Sequence, residues 1–217
     1  MWINSPVYEH YYTLNKNGKQ IKNKRVVTNP SDIESWFYFA STNNFNMLKL
    51  MLNKNFDVNT LSPEDNNIGF LGVEKKSFKL LKFFLDNNGD VSYLGSYPDL
   101  TLGVYRHKTL LNISSYSFSP LRFFKAILLH HIQHNIELRD IDELCSILVS
   151  SEKNIGKIRL LLKYYPNNPQ IKNLLLKYIE NRNSKIYFLV SGKEKLYYSL
   201  KKSKNSFTNI KNKRFKV

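Results

Sequence analysis

Cysteine is almost absent from this sequence. Cys145 is the only one, so an internal disulfide and any cysteine-based zinc cluster are excluded. It lies in the apolar run Leu144 to Ile147, the setting of a buried, inert thiol. Glycine is sparse, at eight residues, and forms no Gly-x-Gly-x-x-Gly or Walker pattern, so no phosphate-cradling loop is written here. A Gly-x-Ser-x-Gly elbow is also missing. Long apolar runs are lacking: Ala126–Leu129 and Ile186–Val190 fall far short of the roughly 20 residues that span a bilayer. The first residues, Met1-Trp2-Ile3-Asn4-Ser5-Pro6, do not pair a basic region with an apolar one, so an intracellular protein is expected. The sequon Asn112-Ile113-Ser114 carries little weight in that setting.

Acidic residues are also few, 17 against 33 basic ones, a net charge of +16. The excess is at the ends. Residues 1–30 carry +4 and residues 193–217 carry +8, while 31–192 carry only +4. Basicity is thus a property of the termini. Arginine is scarce beside lysine, 7 to 26, which argues against base-reading forks. Heavy use of Lys, Asn, Ile, Tyr and Phe fits an AT-rich genome, that of a large DNA virus, an intracellular bacterium or an organelle.

What is present is a core and a period. Hydrophobic residues make up 42% and aromatics 14%, enough to bury an interior. The segment from Asn44 to Val58 aligns without a gap on Ser77 to Val91, an offset of 33 residues. Phe45, Leu48, Leu52, Asp57 and Val58 recur as Phe78, Leu81, Leu85, Asp90 and Val91, and Phe37 recurs as Phe70. Such a period predicts stacked helical pairs. Leu48, Leu52, Leu81 and Leu85 are expected on the inner stripe. Asp57 and Asp90 fall at turns, which makes them turn residues rather than catalytic carboxylates.

The elements follow. Residues 7–28 predict a basic β-hairpin, with Tyr11–Leu14 and Gln20-Ile21 flanking an Asn17-Gly18 type I′ turn. Pro30 opens the first helix, where Ser31 and Glu34 match a capping box. A second helix carries Phe45, Leu48, Met51 and Leu52 at helical spacing, and Asn55 suits a left-handed cap. Residues 93–106 read as an extended insertion. Ser119-Pro120 predicts a helix with proline at its first position. Asp140 and Glu143 predict another capping box, before a helix with Leu144, Ile147 and Leu148 inward. Ile155, Ile158, Leu161 and Leu162 form its partner, closed by Tyr165-Pro166. Asn168-Pro169 opens a further helix, and Ser184 caps a last one through Ile186, Leu189 and Leu196.

Over residues 34–92 the chain resembles the ankyrin repeat. Lys49-Leu50-Met51-Leu52 with Asn55-Phe56-Asp57-Val58-Asn59, and Lys82-Phe83-Phe84-Leu85 with Asn88-Gly89-Asp90-Val91-Ser92, match the family's second helix and following turn. The Thr-Pro-Leu-His opening is replaced by Glu34-Ser35-Trp36-Phe37 and Asn67-Ile68-Gly69-Phe70. The resemblance implies a mainly α fold: an ankyrin-like α-solenoid of about four helical pairs. Its parts would be a basic hairpin at 1–29, repeats over 30–165, capping helices over 166–200 and a basic tail over 201–217, disordered when unbound. It implies a non-enzymatic protein-binding scaffold without cofactor, whose loop tips near 60–67 and 93–106 confer specificity. In a virus or intracellular bacterium the partners would be host proteins, met in the host cytoplasm. Partner identity and oligomeric state stay open.

Two other sites enter from the sequence. His130 and His134 share a helix face and could ligate a metal, but the His-Glu-x-x-His pattern is not met; a polar helix end is the plainer expectation. Lys201, Lys202, Lys204, Lys211, Lys213, Arg214 and Lys216, with Phe207 and Phe215 between them, could follow RNA or another acidic surface. That supports an alternative, a structural component of a ribonucleoprotein such as an organelle ribosome.

Overall fold

The computed structural model describes residues 7–14, 20–27, 30–99, 104–180, 184–193, 195–196 and 199–200. The described chain is mainly α-helical. Its residues divide into two compact units: one spans 1–90 and 95–107, the other 91–94 and 108–217.

The first unit begins with an antiparallel ribbon, β1 (Val7–Leu14) on β2 (Gln20–Val27), with Val7 opposite Val27 and Leu14 opposite Gln20. The turn expected at Asn17-Gly18 falls in residues 15–19, which lie outside the described set. Two helical pairs follow: α1 (Pro30–Ser41) with α2 (Phe45–Asn53), and α3 (Ile68–Glu74) with α4 (Phe78–Asp86). Helix α1 also packs on α3. It starts at Pro30, so Ser31 lies within its first turn instead of preceding it as a capping-box residue would.

The two pairs repeat one set of backbone hydrogen bonds at the 33-residue offset. Asn44 N–H donates to Phe39 O at 2.8 Å, and Ser77 N–H to Gly72 O at 2.9 Å. The residues before them, Asn43 and Lys76, have φ of +55° and +53°. Asn44 and Ser77 then cap α2 and α4, their side chains accepting from Met47 N–H and Leu80 N–H. At the far ends Phe56 N–H reaches Met51 O and Gly89 N–H reaches Phe84 O, both at 3.0 Å, after left-handed Asn55 (φ +65°) and Asn88 (φ +58°). Asparagine tolerates this conformation because its short polar side chain offsets part of the cost.

The core of this unit is aromatic. Trp36, Leu48, Ile68, Phe70, Leu80, Leu81 and Phe84 are fully buried. The inner stripe differs from the expected one in a single respect. Leu48 and Leu81 are on it, but Leu52 and Leu85 are half-buried at its edge, and Met51 and Phe84 take the inward places. Phe45 and Phe83 close one side, with ring centroids 5.7 Å apart.

Where the 93–106 segment is described it is strand: β3 (Leu94–Asp99) pairs with β4 (Val104–Thr109), and residues 100–103 lie outside the described set. The second unit holds α5 (Leu110–Ser115), α6 (Leu121–Gln133), α7 (Ile141–Val149), a 3-10 turn at Glu152–Asn154, α8 (Ile155–Tyr164), α9 (Pro169–Tyr178) and α10 (Lys185–Val190). Helix α5 packs on α6 and α7, α6 on α8, and α7 on α9. Thr109, Asn168 and Ser184 cap α5, α9 and α10 through their side chains, and Pro169 is the first residue of α9. Helix α10 ends at Val190, two residues before left-handed Gly192 (φ +77°), so Leu196 is not part of it.

Two expected starts are different. Pro120 is the cap of α6 rather than its first helical residue, with an extended ψ of 144°. Asp140 precedes α7 in a left-handed conformation (φ +50°) and makes no capping bond. Its supposed partner Glu143 is engaged elsewhere: Glu143 Oε1 is 2.8 Å from Lys108 Nζ, and Oε2 accepts from Asn112 Nδ2 at 3.1 Å. Burial opposes the charge on Lys108, but hydrogen bonds to Glu143 and Tyr116 outweigh it and raise its pKa.

Candidate functional site

The loop between α2 and α3 is built from short-range bonds. Asp57 Oδ1 accepts from Asn59 N–H at 2.9 Å, and Thr60 N–H and Oγ1 both donate to Asp57 O. Asp57 is thus a turn-former, as its place in the period implies. Asp90 N–H donates to Asn59 Oδ1 at 2.6 Å, which ties this loop to the corresponding turn after α4. Ser62 N–H donates to Asn66 O at 2.8 Å around left-handed Asp65 (φ +62°).

The two loop tips then meet. Asn66 Nδ2 donates to Ser96 O at 2.9 Å, joining the 60–67 loop to β3. A glycine is required beside this bond: a Cβ at Gly95 would lie 2.4 Å from Asn66 Oδ1 and 2.6 Å from the Phe70 ring. Between α1, α3 and the joined tips lies a groove of about 580 Å³. Ile33, Phe37, Pro63 and Leu71 give it an apolar lining, and Ser41, Ser62, Ser96, Asn66 and Asn67 a polar one. Its charged residues are Glu34, Glu64, Glu74 and Lys75. An acidic groove stands out in a chain of net charge +16.

Two details describe its chemistry. Glu74 is exposed as a whole residue, yet its carboxyl is desolvated enough that burial raises its pKa; Lys75 pulls the other way, and Glu64 adds to the rise. Asn67 is 1% exposed. Its Oδ1 is spent capping α3, accepting from Gly69 N–H at 3.0 Å and Phe70 N–H at 3.3 Å, while its buried Nδ2 has no acceptor among the described residues. No three His, Cys, Asp or Glu residues among the described ones converge as a metal site would require.

The repeat-defining residues divide by role. Leu48, Val58, Leu81 and Val91 are buried, Phe45, Leu52, Phe78 and Leu85 half-buried, and Asp57 and Asp90 exposed at turns. Lys201, Lys202, Lys204, Lys211, Lys213, Arg214 and Lys216 lie outside the described residues. His130 and His134 do share a face, with ring centroids 4.2 Å apart. The end of α6 is less polar than expected, however, since His130 and His131 are both buried. Burial lowers the His130 pKa, and His134 and His131 add to the effect. Cys145 is fully buried, and burial pushes its thiol up to about 12, the state of an inert cysteine.

Sequence reading named the two loop tips but not Glu34, Glu64, Glu74 or Asn67 as members of one site. The available signal was that Glu64 lies within the 60–67 loop and Glu74 ends the helix that follows it, while Glu34 belongs to α1, distant in sequence. Comparison of the chain with protein-family models, with curated proteins and with solved structures finds no match.

Proposed function

We propose that this chain is a non-enzymatic protein-interaction module, an ankyrin-like α-solenoid in which the groove between α1, α3 and the 60–67 and 93–106 tips receives a partner protein. The observation that carries the reading is the hydrogen bond from Asn66 to Ser96, which fastens two separate loops around one concave, mixed apolar and polar surface. The recurrence of caps and left-handed turns at a 33-residue offset supports the repeat architecture. The bias toward Lys, Asn, Ile, Tyr and Phe is that of an AT-rich genome and is compatible with a viral or intracellular-bacterial source, with host proteins as partners.

The test is selection of a displayed random-peptide library on the full chain, counter-selected on Ser41→Trp. Ser41 is exposed at the end of α1 and lines the groove, so the indole fills the groove while leaving the core intact. Ligands that bind the parent and lose affinity for Ser41→Trp are expected. Ligands indifferent to the substitution would place recognition elsewhere and sink the reading.

A further inference from the structure

We infer that the groove takes an extended peptide segment of the partner through one lysine or arginine side chain, its cation held by Glu64 and Glu74. This inference rests on the proposed function and names the partner's chemistry.

Two properties of the groove select that ligand. The first is charge. Three glutamates and one lysine line it, an acidic surface on a basic protein, so a cation is drawn in and an anion repelled. Burial is the first cause of the raised Glu74 pKa; Lys75 opposes it, and Glu64 adds like-charge repulsion that an arriving cation relieves.

The second is spacing. Because the carboxylates do not converge as metal ligands do, the cation they suit is a long side chain or an extended molecule rather than a bare ion. Ile33, Phe37 and Leu71 offer an apolar path for the methylene stem of lysine or arginine behind its charged head.

The experiment reads the peptides selected on the full chain, then measures their affinity by fluorescence anisotropy on the parent, Glu64→Gln/Glu74→Gln and Ser41→Trp. Each is also synthesised with citrulline for arginine or norleucine for lysine, and spermidine is added as competitor. Glu64 and Glu74 are exposed, so the double variant is expected to keep the parent's thermal midpoint. The expected result is a Lys or Arg in every groove-dependent peptide and about fivefold or greater weakening for both the neutral analogue and the double variant. Spermidine should displace the peptides only at far higher concentration. Groove-dependent peptides without a basic residue, or with unchanged affinity for the double variant, would overturn this inference and leave the interaction module standing. Displacement by spermidine at equal concentration would reassign the groove to polyamines. Absence of any peptide sensitive to Ser41→Trp would overturn both.

Discussion

The ring of Phe84 fills the space that a side chain at Gly89 would occupy: a Cβ built there would lie 2.4 Å from the ring. A Cβ at Gly69 would meet the same ring at 2.7 Å. One period earlier the equivalent places hold Trp36, Met51 and Phe56, and there Trp36 and Phe56 pack on each other with centroids 4.9 Å apart. The two helical pairs therefore solve the same packing problem in opposite ways. One puts its bulk on the first helix and the turn, the other on the second helix.

Gly89 has no positive φ, so substitution there tests packing alone. Gly89→Ala is expected to destabilise by about 1–3 kcal/mol, the usual cost of overpacking. Phe84→Leu combined with Gly89→Ala should be less destabilised than the two single effects added, because the smaller side chain vacates the contested space. Strict additivity in chemical denaturation would refute the shared-space account.

Leu81 and Leu85 occupy successive turns of α4 but differ in burial. Leu81→Ala is expected to cost about 2–5 kcal/mol, the range for truncating a fully buried leucine. Leu85→Ala should cost clearly less, since Leu85 is only half-buried. Equal shifts of the denaturation midpoint would contradict the observed stripe.

Lys157 is buried, and its Nζ donates to Ser115 O at 3.2 Å and Tyr116 O at 2.6 Å, capping the end of α5. Burial lowers its pKa from 10.5 to about 8. Between those values the unfolded chain binds the proton more tightly than the folded one, so stability must rise with pH across that window. Lys157→Met should flatten the rise between about pH 8 and 9.5, below the bulk titration of other lysines. A parent protein with no such slope would mean the ammonium is better solvated than its surroundings suggest.

Cys145 should resist alkylation in the folded protein at pH 8, since a buried thiol with a pKa near 12 supplies almost no thiolate. Labelling should follow global unfolding in denaturant. Rapid modification under native conditions would show that α7 opens locally.

Truncation after Leu200 removes Lys201, Lys202, Lys204, Lys211, Lys213, Arg214 and Lys216. If those residues follow RNA, the truncated protein should lose affinity in a filter-binding assay and show a shallower dependence on salt, because fewer counterions are released. Equal binding at low salt would dismiss the ribonucleoprotein alternative.

The sequence by itself determined what depends on neighbours along the chain. The left-handed positions at Asn55 and Asn88, the caps at Asn44, Ser77, Asn168 and Ser184, and the inward face of α7 all follow from local hydrogen bonding and helical spacing. Tertiary structure decided everything that rests on partners distant in sequence. Glu143 matches a capping pattern locally, yet a buried lysine 35 residues away makes the stronger claim on its carboxylate, because an unpaired charge in the interior costs more than a missing cap. Leu52 and Leu85 fit the helical stripe as well as Leu48 and Leu81 do, and only the position of the neighbouring helix places them at its edge. The groove has the same origin. Glu34 and Asn67 are equivalent at the 33-residue offset, but Glu64 and Glu74 share no motif or period with them; the four line one surface because Asn66 fastens its loop to Ser96, thirty residues on, and α1 packs against α3.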